Sequence, residues 1–160
     1  MSVAEEALRG LRGRGWTLGV AESLTGGAVT AEIVSVPGAS VVLLGGVVAY
    51  ATPVKHTLLG VDDELLARHG PVHADVALQM ADGVRAAVGA AELAADVGVS
   101  TTGIAGPDSP DGQPVGTVHV AVVTPDEAVS EAHLFAGGRD EVRAQAVAAA
   151  LDLLLRMTRE

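Results

Sequence analysis

The sequence predicts an α/β protein, a three-layer α/β/α sandwich around a mixed, mostly parallel sheet. Three observations carry that expectation. Short apolar runs alternate with segments of helical spacing through the first half, two runs joined at Pro125-Asp126 read as a hairpin, and a long helical pattern closes the chain. Hydrophobic residues make up 49% of the chain but aromatics only 2%, so Val, Ala and Leu must fill the core. Side chains that small suit closely stacked helix and sheet layers. At 160 residues the chain is expected to form one domain, residues 1–160.

Each element has its own signal. Ser2 and Glu5 make a capping-box pattern, opening a helix with Val3, Leu8 and Leu11 as apolar positions and Gly13 and Gly15 at its end. Thr17–Ala21 reads as a buried strand, and Thr25 to about Ser35 as a helix with Gly26 and Gly27 in its first turn. Pro37-Gly38 is a turn and Val47–Tyr50 a second strand. Thr52-Pro53 reads as an N-cap followed by proline at the first helical position. That places Lys55 in the first turn of a short helix ending at Gly60. A further short helix starts at Asp62 or Asp63 and stops at Gly70-Pro71. His73–Val88 has helical spacing, with Val76, Met80 and Val84 on one face. Ala95–Thr101 is a strand, Thr102–Pro114 a loop crowded with Gly, Pro and Asp, and Thr117–Val123 with Ala128–Phe135 the hairpin. Asp140 to about Arg159 is the closing helix, with Val142, Val147, Leu151 and Leu154 facing inward. No internal repeat or linker interrupts this order.

Charge and composition exclude several function classes. A formal charge of −10 opposes nonspecific binding to nucleic acid or an anionic membrane, while leaving room for a local basic pocket that takes a small anion. The chain has no cysteine, which removes disulfides, thiolate chemistry and Cys-type zinc sites. His69 and His73 have i,i+4 spacing, but Gly70-Pro71 breaks any helix between them, so no metal site is expected. Met1–Glu6 lacks a basic start with an apolar stretch, and Gly, Pro or charge interrupts every apolar run. A soluble cytoplasmic protein is expected.

Four constellations could carry chemistry. Ser23 sits where a buried strand opens into Leu24-Thr25-Gly26-Gly27, at the carboxyl end of a strand, with the free amides of a helix start beside it. Ser23 or Thr25 could equally be a simple helix cap. The chain's one lysine, Lys55, lies five residues after its one tyrosine, Tyr50, while every other basic residue is arginine. A lysine can be made neutral by burial and a helix N-terminus and can then take a serine proton; arginine cannot. Serine, lysine and tyrosine together make a plausible hydrolytic centre. The Thr101–Pro107 segment, with Thr102, Gly103, Ile104, Ala105 and Gly106, again runs from strand into a glycine-rich loop able to hold a phosphate or carboxylate. Finally, Arg139 follows Gly137-Gly138 and could reach a ligand, whereas Arg143 reads as a solvated or salt-bridged surface residue. The backbone amides around Thr25–Gly27 are the expected oxyanion donors.

Taken in order, Ala21–Gly27, Pro37–Ser40, Tyr50 with Lys55, Leu59–Val61, Thr102–Pro107, Pro114–Val118 and Arg139–Arg143 resemble the carboxy-terminal domain of the competence/damage-inducible CinA proteins. That domain also exists as a stand-alone nicotinamide mononucleotide amidohydrolase. The resemblance runs from about Trp16 to Leu155. It implies an α/β/α domain that hydrolyses the carboxamide of nicotinamide mononucleotide, with Ser23 as nucleophile beside Lys55 and Tyr50. The residues themselves are read as holding a small-molecule nucleotide through Thr25, Gly26, Gly27, Thr102, Gly103, Ile104, Ala105, Gly106 and Arg139, and the reaction is expected to need no metal or organic cofactor. A homo-oligomer, most simply a dimer, is the expected assembly. The family commonly has cysteine where this chain has Leu24, which argues against a cysteine nucleophile. The Asp108–Gly112 loop is more acidic than the usual glycine-rich version, and no counterpart of the amino-terminal domain is expected. Two other readings stand beside this one: a noncatalytic nucleotide-binding or regulatory module, and a serine amidase for another small anionic amide.

Overall fold

The computed structural model describes residues 1–159; Glu160, the last residue of the expected domain, lies outside the described residues. The elements in chain order are α1 (Val3–Arg14), β1 (Leu18–Glu22), α2 (Ala28–Val34), β2 (Leu43–Val48), α3 (Thr52–Leu59), α4 (Asp63–His69), α5 (Ala74–Ala87), β3 (Val97–Gly103), β4 (Thr117–Val123), β5 (Ala128–Leu134) and α6 (Arg139–Thr158). A single 3-10 turn, Ala39–Val41, precedes β2.

The sheet has strand order β2-β1-β3-β4-β5. β1 pairs in parallel with both β2 and β3, and β4 pairs antiparallel with β3 and β5. Four strands therefore point one way and β4 alone runs against them, which is the mixed, mostly parallel sheet the sequence predicts. β1 is buried along its whole length, so it carries no alternation of apolar and polar residues.

Two helical layers cover the faces. Leu8 and Leu11 of α1, Ile33 of α2 and Leu154 of α6 pack with Val20, Val99 and Val120 in the larger core cluster. Leu59 of α3, Leu66 of α4 and Met80 of α5 pack with Ala21 against the other face. α3 lies close against α5 because residue 83 is glycine: a Cβ there would overlap the carbonyl oxygen of Leu59. That contact fixes the height of α3, and with it Lys55, over the end of the sheet.

The topology makes the site. The chain leaves β1 for α2 on one face and leaves β2 for α3 on the opposite face. Adjacent strands whose exits part in this way open a crevice at their carboxyl ends. Ser23 follows the end of β1, and Lys55 comes from the helix after β2.

Several boundaries differ from the sequence expectation. α2 begins at Ala28 rather than Thr25, so Gly26 and Gly27 precede it instead of forming its first turn, because both glycines take left-handed backbone angles. β2 begins at Leu43 rather than Val47 and ends before Tyr50; as an edge strand with Gly45-Gly46 it is half-exposed and carries no strong period. Ala51, not Thr52, is the N-cap of α3, which moves Pro53 to the second helical position. β3 runs to Gly103, so Thr102 and Gly103 are strand residues still paired to β4.

Candidate active site

Lys55 is 1% exposed, and three oxygens surround its Nζ: Ser23 Oγ at 2.9 Å, the Ala49 carbonyl at 2.8 Å and the Tyr50 carbonyl at 3.1 Å. Burial pushes the amine down from its ordinary value of 10.5 to about 8. The identity of the three partners matters. Two are carbonyl oxygens, which only accept, so they claim two N–H groups of the neutral amine. The third is a hydroxyl, which can donate. In the neutral form the nitrogen lone pair is left facing Ser23 O–H, the arrangement of a base beside a nucleophile.

Tyr50 contributes differently from the expectation. Its ring is 59% exposed, and its hydroxyl accepts from Arg139 Nη2 at 3.2 Å instead of meeting Lys55 or Ser23. What Tyr50 gives the lysine is its backbone carbonyl. Arg139 also donates from Nη1 to the Gly106 carbonyl at 2.6 Å. Ser23, Tyr50, Lys55, Thr102, Gly103, Ala105 and Arg139 line one cavity of about 160 Å³. A second of about 190 Å³, lined by Ile104 and Gly106 and rimmed by Asp108 and Asp111, shares Tyr50, Ala105 and Arg139 with it. Together they form one cleft, with two cations near the serine and carboxylates at the far rim. Among the described residues, no group of three or more His, Asp or Glu side chains is gathered to hold a metal ion.

Two side chains from the expected binding set are occupied elsewhere. Thr25 is wholly buried with its Oγ1 on Thr101 Oγ1 at 2.8 Å, which ties the loop to β3. Thr102 turns its hydroxyl to the Pro71 carbonyl at 2.6 Å. Of the Thr102–Gly106 amides, that of Ile104 bonds the Thr117 carbonyl, while those of Ala105 and Gly106 have no partner among the described residues and border the cleft. Of the expected oxyanion donors, one is occupied. The Gly26 amide is used by the Ser23 carbonyl at 3.1 Å, and Ser23 N–H by the Thr101 carbonyl at 3.1 Å. Among the described residues the amides of Thr25 and Gly27 have no partner, and neither has that of Leu24, a residue that lines the cavity beside the nucleophile.

A scan of the chain against family models matches the CinA C-terminal domain over residues 1–158. The chain belongs to this family. It is 46% identical over 144 residues to a CinA-like protein of Frankia casuarinae, covering 90% of this chain and 32% of that protein. A CinA-like protein of Anaeromyxobacter dehalogenans is 49% identical over 146 residues, covering 90% and 34%. The chain thus spans about a third of the length of these curated relatives. Among solved structures, a competence damage-inducible protein A from Klebsiella pneumoniae superposes with a TM-score of 0.89 at 34% identity, covering 96% of this chain and 93% of that one. The competence/damage inducible protein CihA from Agrobacterium tumefaciens gives 0.88 at 31%, covering 99% and 100%.

In this CinA domain two buried or half-buried charged residues escaped the sequence reading. Glu22 is fully buried at the end of β1; its Oε1 accepts from Val29 N–H at 2.8 Å, and its Oε2 from Thr30 N–H at 3.0 Å and Thr30 Oγ1 at 2.7 Å. It caps α2 in place of Gly27, which has φ +105° and no side chain to offer. The available signal was a carboxylate inside an apolar strand just before a helix lacking a cap. Arg143, expected on the surface, is half-buried and donates from Nε to the Leu24 carbonyl at 2.9 Å and from Nη2 to the Thr25 carbonyl at 3.3 Å. Nothing in local sequence announces a contact across 119 residues. The described helices include none long and apolar enough to cross a membrane.

Proposed function

We propose that this CinA domain is a serine amidohydrolase that converts nicotinamide mononucleotide to the corresponding acid and ammonia. The observation that carries the reading is the buried Lys55 amine, brought to a pKa of about 8 and held by two carbonyls so that its lone pair faces Ser23 Oγ. Ser23 Oγ attacks the carboxamide carbon and its proton passes to Lys55 Nζ. The carbonyl oxygen becomes an oxyanion, which the Leu24 amide is placed to stabilise. The C–N bond then breaks as the leaving nitrogen takes the proton back from Lys55, and ammonia departs. Water adds to the acyl-enzyme and gives a proton to the same amine, which passes it to Ser23 Oγ as the bond from that oxygen to the acyl carbon breaks and the acid leaves. Each donor to the oxyanion is typically worth about 3 kcal/mol.

Arg139 and the unpartnered amides of Ala105 and Gly106 suit an anionic end of the substrate, the phosphate in this reading. A small-molecule nucleotide is then the partner, and neither nucleic acid nor membrane is required. A cytoplasmic homodimer is the assembly this reading adopts from the family resemblance.

The test is direct. Purified protein incubated with nicotinamide mononucleotide should release ammonia, and Ser23→Ala should abolish the release while still binding the nucleotide. A folded wild type that binds the nucleotide without releasing ammonia would overturn the hydrolase in favour of a binding module.

A further inference from the structure

The turn after the nucleophile is gripped from behind by a cation. The Ser23 carbonyl accepts from the Gly26 amide, which closes a four-residue turn with Leu24 and Thr25 at its centre. The Arg143 guanidinium holds the carbonyls of both central residues, at 2.9 Å and 3.3 Å. It reaches them from the first turns of α6, and among the described residues it forms no salt bridge. A half-buried charge is thus spent entirely on two backbone oxygens beside the nucleophile.

Peptide geometry says what that grip does. In a trans peptide the C=O and N–H point in opposite directions. Fixing the Ser23 carbonyl on Gly26 therefore turns the Leu24 amide outward from the turn, and Leu24 borders the cavity that holds Ser23 and Lys55. The turn is not stiff by composition, because Gly26 and Gly27 follow its centre with φ of +61° and +105°. Arg143 meets the two carbonyls with separate nitrogens, Nε and Nη2, in one rigid plane; a lysine would have to reach both from a single point.

We infer that Arg143 is a positioning residue for the oxyanion donor: by holding both central carbonyls of the Ser23–Gly26 turn, it aims the Leu24 amide at the oxygen that gains charge when Ser23 attacks. The inference rests on the hydrolytic reading above, and its test separates the two.

An alkyl fluorophosphonate supplies a probe independent of the physiological substrate. Its reaction forms a bond from Ser23 Oγ to phosphorus and breaks the P–F bond. The serine proton goes to Lys55, fluoride leaves, and the phosphoryl oxygen takes the oxyanion position. Labelling of Ser23 is followed across pH in wild type, Arg143→Ala and Arg143→Lys, with folding checked by circular dichroism and thermal melting. Arg143→Ala should be labelled about 10- to 100-fold more slowly, less than the roughly 100- to 1000-fold for deleting an oxyanion donor outright, because the amide is misaimed and not removed. Arg143→Lys should recover only part of that loss. The pH midpoint should stay at the wild-type value in both, because the Ser23–Lys55 pair is untouched. With nicotinamide mononucleotide, kcat should fall by a similar factor and KM should change little.

A folded Arg143→Ala that is labelled at the wild-type rate overturns the inference, and so does a loss of rate accompanied by a shifted midpoint. If Arg143→Ala does not fold, Arg143→Lys is judged by the same two criteria. Wild type labelled at Ser23 that releases no ammonia overturns the substrate reading alone and leaves Arg143 to be judged by its labelling rate. Wild type that is not labelled overturns both.

Discussion

At the scale of single residues, Lys55 sets how the protein should respond to pH. Its folded-state pKa of about 8 lies below the ordinary value of 10.5, so the neutral, proton-accepting form appears as pH rises through about 8. The rate of amide hydrolysis should climb through that pH and then level. Lys55→Arg should be nearly as inactive as Lys55→Ala, because arginine keeps the charge but cannot take the proton; an arginine variant with substantial activity would reduce Lys55 to a source of positive charge. The same shift has a stability sign. Between about 8 and 10.5 the unfolded chain binds more protons than the folded one, so stability rises with pH across that window. Below it, keeping the buried ammonium costs about 3 kcal/mol relative to a lysine in water. Urea melts at the two ends of the window should show wild type gaining about that much relative to Lys55→Met. A constant difference between the two proteins would mean that the lysine is not depressed.

At the scale of elements, β1 and α2 are joined by one carboxylate. Glu22 satisfies two amides at the start of α2 and the Thr30 hydroxyl, all beside the core. Glu22→Ala would strand those donors and should destabilise the fold by about 3 kcal/mol, with Glu22→Gln losing less because one acceptor oxygen remains. Chemical denaturation of the two variants checks the order. Gly83→Ala should act at a distance. The added methyl meets the Leu59 carbonyl and pushes α3 away from α5, which should cost roughly 1–3 kcal/mol and lower kcat by displacing Lys55. Full activity in a destabilised Gly83→Ala would separate the packing of α3 from the placing of its lysine.

These elements also mark where the sequence is readable. The alternation of apolar runs and helical spacing locates nearly every element, because burial gives the helices their spacing and fully buried strands such as β1 a short apolar run, and the Ser2–Glu5 capping box forms as its pattern predicts. β2 is blurred because Leu43-Leu44-Gly45-Gly46-Val47-Val48 comes in like pairs, so its alternating exposure has no counterpart in residue type. Ser23 and Lys55 are legible because their types are unusual in their places. Glu22 left a faint signal, a carboxylate in an apolar strand before an uncapped helix, whereas Arg143 left none, since both its partners are backbone carbonyls far away in sequence. Tyr50 shows a further limit: its position could be read, but not that its carbonyl rather than its phenol would meet the lysine.

At the scale of the whole molecule, a charge of −10 surrounds a cleft that carries two cations. A phosphate-bearing substrate must cross a repulsive field before it meets Arg139. Added neutral salt screens that field, so kcat/KM for the nucleotide should rise with ionic strength from low salt toward the physiological range, while the riboside, a net cation through its pyridinium ring, should show the opposite trend. A fall with salt for the nucleotide would show that attraction by the local cations dominates the approach.

The enclosure of the chain's sole lysine reaches beyond catalysis. Apart from Lys55, the only aliphatic amine is the α-amino group, and Lys55 is 1% exposed. Met1 is 70% exposed, so accessibility decides which amine an acylating reagent meets. The folded protein should accept a single amine-directed dye or tether at its first residue and keep its working site unmarked. A second tag appears only when the structure opens, so the mass of the tagged chain counts openings at the active site molecule by molecule.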